Sequence, residues 1–189
     1  MTMQESDRIN ELIPMLPPRT RTAFAIACFE RTLPIVAWYF GPNEADPVRR
    51  AIDLCWDYAE SGIESRVEVE AAIKHFAGLA DQLYEDDQAA SAYLYSINSL
   101  YWALQSMIAP EAKMAQNAVS FASDAAAAAA LDGPKLQESN FDEETSWQLR
   151  ALQAAQAVAP DRKMFQSLSA KPNWLVHFES VVPPRPKGQ

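Results

Sequence analysis

Glycine is scarce: the 189-residue chain has five. Hairpin turns and phosphate-cradling loops both depend on residues that take positive φ, so an all-β fold or a nucleotide-binding loop has little to be built from. None of the patterns G-x-S-x-G, G-x-G-x-x-G or G-x-x-x-x-G-K-[ST] occurs. Histidine is scarcer still, with His75 and His177 alone. Neither stands three residues after a glutamate, since Ala72 and Trp174 occupy those places, so the Glu-x-x-His pairs of helical di-iron bundles are missing and no metal centre is expected. Two imidazoles also leave few bases for a serine or cysteine nucleophile. No catalytic, cofactor-binding or metal-ligating residue is therefore assigned. Of the two cysteines, Cys28 and Cys55 both lie in apolar helical stretches, which suits buried thiols of a reducing compartment better than a bridge, though sequence alone leaves pairing open.

Positive charge is in deficit, with 16 basic against 25 acidic residues, a net charge of −9 and a pI near 4.7. That balance argues against the extended basic face needed to bind a phosphate backbone directly. Long apolar runs are missing too. The opening MTMQESDRINEL has no apolar stretch behind a basic segment, and nowhere do ~18 consecutive apolar residues occur. A cytoplasmic, soluble protein is expected.

What remains is helix-forming. With 49% hydrophobic residues and a remainder rich in Ala, Leu, Glu and Gln, the chain reads as an all-α, single-domain bundle of about seven or eight helices over residues 1–182, with 183–189 an extended tail. Ile9, Leu12, Ile13 and Leu16 mark a first amphipathic helix that Pro17 and Pro18 close. The second begins near Arg19 and runs to Gly41-Pro42 with Pro34 inside, which predicts a kink or two short helices. Asp46-Pro47 reads as a cap and first-turn proline for a third helix over residues 48–61, stopped by Gly62. Ser65 with Glu68 reads as a capping box opening a fourth, and residues 85–87 cap a fifth at its positive end. The fifth, with Tyr93, Ile97, Leu100, Leu104 and Ile108 on one face and Tyr95 and Trp102 on another, is the candidate central helix. Pro110 opens a sixth ending in the alanines 125–130, read as close packing. Asn140 with Glu143 caps a seventh that Pro160 ends, and Pro172 opens the last.

The charge is unevenly placed. Residues 43–149 carry 19 acidic and 6 basic residues, a net of −13, whereas residues 1–42 balance and residues 150–189 hold 6 basic against 2 acidic. Asp53, Asp57 and Glu60 stand at i, i+4 and i+7, one face of the third helix. Asp81, Glu85, Asp86 and Asp87 form a second acidic group across the following turn. Such a stripe serves solubility, or it docks a basic partner whose complementary charge speeds association. Trp38, Tyr39 and Phe40 are consecutive and cannot all face one core, and Trp56 is read first as a core anchor. The neighbours Glu30 and Arg31 read as structural: Arg31 bonding carbonyls freed at Pro34, Glu30 meeting a charge from another helix.

The stretch RTRTAFAIACFERTLPIVAWYF followed by VRRAIDLCWDYAESG resembles the N-terminal part of the Imm5 family of helical bacterial immunity proteins from polymorphic toxin systems, and with it a larger group of helical proteins of the DUF416 type. Cys28, Glu30, Arg31 and Pro34 carry the likeness, together with the Ala-Ile-Asp-Leu-x-Trp segment from Ala51 to Trp56 that closes at Gly62. Phe29 departs from the small residue expected before Glu30-Arg31. The resemblance implies a non-enzymatic protein that binds and blocks a co-encoded toxin, and it transfers no binding residue. A basic toxin cleft that attacks nucleic acid would suit the acidic surface. The alternatives are a helical domain enclosing an apolar small molecule between its fifth and sixth helices, and an enzyme working with carboxylates alone.

Overall fold

The computed structural model describes residues 2–40, 45–62, 64–82, 88–109, 111–130, 134–157, 159 and 161–181. Among them are nine α-helices, a single 3-10 turn at Ile13–Met15 and no strand. The helices are α1 (Thr2–Leu12), α2 (Pro18–Phe40), α3 (Ala45–Ser61), α4 (Arg66–Asp81), α5 (Gln88–Ile108), α6 (Ala112–Ala128), α7 (Pro134–Ala157), α8 (Arg162–Leu168) and α9 (Asn173–Val181). The all-α bundle expected from sequence is present, with one helix more than predicted. No described helix is long and apolar enough to cross a membrane. The tail at 183–189 lies outside the described residues.

α5 is central, as its two-sided apolar pattern predicts: α2, α3, α4 and α6 all pack on it, and Ile97, Leu100, Ala103 and Leu104 are sealed from solvent. α6 lies closest. Its buried Ala115, Ala118, Ala122, Ala125 and Ala126 let the backbones approach until the Ser99 hydroxyl donates to the Ala118 carbonyl at 2.8 Å. The alanine run is therefore packing. α2 is enclosed on all sides from Ala23 to Phe29. It continues through Pro34 to Phe40 as one helix rather than two short ones. Cys28 and Cys55 are both buried free thiols, and burial pushes both well above the ordinary thiol range.

Helix ends show where local signals decided and where they did not. Gly62 closes α3 at φ 75°, with its N–H on the Tyr58 carbonyl at 2.9 Å, as a residue without Cβ allows. Arg19 completes that end by donating to the carbonyls of Ala59, at 3.0 Å, and Glu60. Asp46 stands inside the first turn of α3, which begins at Ala45, so it is not the cap. The Ser65–Glu68 capping box does not form; the Ser65 side chain makes no cap hydrogen bond, and only its carbonyl bonds Val69. Nor do Asn140 and Glu143 start α7. That helix opens six residues earlier on Pro134, whose fixed φ and missing donor suit a first turn. Asn140 is buried within it and donates to the Ala126 carbonyl at 3.2 Å, tying α7 to α6. Glu143 caps a different helix, accepting the N–H groups of Asn173 at 2.9 Å and Trp174 at 3.3 Å at the start of α9. Pro110 and Pro160 lie outside the described residues. α8 was not expected; Asp161 caps it by accepting from Lys163 N–H at 2.9 Å.

Candidate protein-docking site

α3 buries Val48, Ala51, Ile52, Cys55, Trp56 and Ala59, so its polar residues are held in fixed directions on the remaining surface. Trp56 is a core residue: its ring packs on Phe165 at 5.9 Å and its Nε1 donates to Glu30 Oε2 at 3.2 Å. α4 lies alongside α3. Between them runs an open groove of about 720 Å³ whose floor includes Ala51, Ala72 and the buried Phe76. Four carboxylates line it, from Asp46, Asp53, Asp57 and Glu68, against the two guanidinium groups of Arg49 and Arg50. His75 shares the α4 wall.

The structure divides the predicted stripe. Asp57 is exposed in the groove, and its carboxylate has no partner among the described residues. Asp53 also reaches the groove but accepts from Arg162 Nη1 at 3.4 Å. Glu60 turns away from α4 and accepts the Arg162 backbone N–H at 3.1 Å. Arg162 belongs to α8, and its Nη2 pairs with Glu30 Oε1 at 2.6 Å while the guanidinium sits 5.8 Å from the Trp56 ring centre. Glu30 thus meets a charge from another helix, as expected. Asp81 is exposed at the last residue of α4, beyond Phe76 where the groove lining stops. Glu85, Asp86 and Asp87 lie outside the described residues.

Sequence reasoning missed Asp46 and Glu68 as groove residues because both were assigned to caps. It also missed Arg162, whose only signal was the basic excess of residues 150–189. The aromatic trio is partly inward: Tyr39 stacks on Tyr93 at 4.6 Å and Trp38 meets Phe178 edge-on at 6.2 Å. The side chain of Phe40 lies outside the described residues.

A second polar constellation is structural. Arg31 does not bond carbonyls freed at Pro34; its Nε donates to both oxygens of Glu144 at 2.9 and 3.1 Å, its Nη1 to the Ala170 carbonyl at 3.4 Å, and its plane lies 4.3 Å from the Trp147 ring centre. The reason is reach: a long side chain pointing into the α2–α7 contact finds a buried carboxylate that needs a cation. Burial pushes the Glu144 carboxyl above its usual range, although Arg31 and the Trp174 indole N–H facing it pull the other way. Among the described residues no group of three or more His, Cys, Asp and Glu is placed to hold a metal ion.

Compared with known proteins, the chain matches no family model, no curated protein and no solved structure.

Proposed function

We propose that the protein is a non-catalytic binding protein of the bacterial cytoplasm that docks a basic protein through the α3–α4 groove, and that this partner is a co-encoded toxin it neutralises. The observation that carries the docking role is Asp57: an exposed carboxylate without a partner among the described residues, set among Asp46, Asp53 and Glu68 over an apolar floor. A carboxylate cluster with an apolar floor suits a partner that presents Lys or Arg around an aliphatic or aromatic anchor. A cleft that normally holds nucleic-acid phosphates is such a surface. The toxin identity comes from the resemblance of residues 19–62 to immunity proteins. The non-catalytic reading is supported by the shortage of imidazoles and by their placement on separate helices, His75 on α4 and His177 on α9.

Co-expression with the toxin encoded beside this gene tests the proposal, read as colony survival. The variant to use is Asp57→Lys with Glu68→Lys, because both side chains are exposed and neither has an ion-pair partner among the described residues, whereas Asp53 helps to hold α8. Wild type is expected to protect, and the folded double variant to lose protection. Full protection by the folded variant would remove the groove from the interface.

A further inference from the structure

Apart from the acidic groove, a second cleft of about 380 Å³ lies between α2, α8, the 169–172 segment and α9. Its volume falls at the small end of ligand sites. Ala27, Leu33, Pro34 and Leu175 give it an apolar side. Arg31 forms part of the wall and is 7% exposed. Three of its contacts, to Glu144, Ala170 and Trp147, lock the guanidinium in place, yet Nη2 makes no hydrogen bond to a described residue. The acidic wall residue, Glu30, has both oxygens engaged: Oε1 accepts from Arg162 and Oε2 from the Trp56 indole. Lys171 supplies a second cation, half exposed and tethered to Glu179 across 2.5 Å.

A guanidinium already fixed and largely dehydrated loses little freedom when it binds, and its hydrogen bonds to an anion are short and charge-assisted. We propose that this cleft binds a small aliphatic monocarboxylate, one carboxylate oxygen accepting from Arg31 Nη2 and the other facing Lys171, with the hydrocarbon body against Leu33, Pro34 and Leu175. The site is independent of toxin docking and takes a ligand of a different class.

The test is an NMR titration of the full chain with isovalerate, and in parallel with isovaleramide, which has the same shape without the charge. Isovalerate is expected to give saturable shifts confined to Ala27, Leu33, Ala170 and Leu175, with the amide binding at least about tenfold more weakly. Lys171→Glu, at an exposed position, should keep the fold and weaken isovalerate by about tenfold. Leu33→Trp, which fills the apolar side, should abolish the shifts. Unsaturable or scattered shifts, equal affinity for the amide, or undiminished binding by Lys171→Glu would each overturn the assignment.

Discussion

Replacing Glu144 by leucine should be strongly damaging, and the structure says why it should exceed the change at its partner. The Glu144 side chain is fully buried and that of Arg31 is 5% exposed. Glu144→Leu leaves a guanidinium that cannot give up its proton, supported among the described residues only by the Ala170 carbonyl and the Trp147 face. Stranding one member of a buried pair costs about 3–5 kcal/mol. For a domain of this length that corresponds to a fall in melting temperature of ~6–20 °C. Arg31→Met strands a carboxylate instead, and a carboxylate has a way out. Arg31 is one of the two groups holding the Glu144 pKa down against burial, so its removal lets the carboxyl take up a proton and become neutral. The cost of Arg31→Met should therefore be smaller, and smaller still at acid pH. In the double variant no charge remains to be stranded, so it should be more stable than Glu144→Leu alone, despite carrying one more substitution. Urea denaturation of the four proteins at two pH values closes the cycle. Additive losses, or a larger loss for Arg31→Met than for Glu144→Leu, would refute the reasoning.

Other outcomes follow from single residues. Asp124 is partly buried on α6 and burial raises its pKa, so the folded state holds that proton more tightly than the unfolded chain; its penalty is absent below the ordinary value of 3.8 and grows as pH rises past it. Asp124→Asn should accordingly raise the melting temperature at pH ~7, with the gain vanishing in acid. Gly62→Ala should cost about 1–2 kcal/mol, measured by denaturation, from the φ of 75° alone, because the added Cβ would meet the Arg19 guanidinium only at an ordinary 3.4 Å. Glu143→Ala removes the acceptor at the start of α9 and should cost about 0.5–2 kcal/mol while speeding amide exchange at Asn173 and Trp174.

The periodicity of α5 and the alanines of α6 were legible because a buried helix advertises itself in side-chain type alone. Helix starts were less so. The Ser65–Glu68 and Asn140–Glu143 pairs both match a cap pattern, but the pattern cannot say that a proline upstream, Pro134, already offers a better first turn, or that Glu143 reaches the end of another helix. The groove was half legible: the i, i+4, i+7 spacing found Asp53, Asp57 and Glu60, and the tertiary approach of α8 then divided them by placing Arg162 beside Asp53 and Glu60. Glu68 joins them only because α4 packs along α3, a contact between helices that no local pattern encodes. Arg31 is buried and held by another helix, but its main partner was not legible, since Glu144 is 113 residues away in the chain.

The central claim is that the exposed carboxylates of the α3–α4 groove steer a basic protein into contact. Stopped-flow association of the full chain with the proposed co-encoded toxin, measured from low to physiological ionic strength, tests it directly. Steering by these charges predicts an association rate that falls by about tenfold or more as salt screens them, and a flat, slow profile for Asp57→Lys with Glu68→Lys. A complex that forms at the same rate at every salt concentration, and equally fast with both charges reversed, would contradict it.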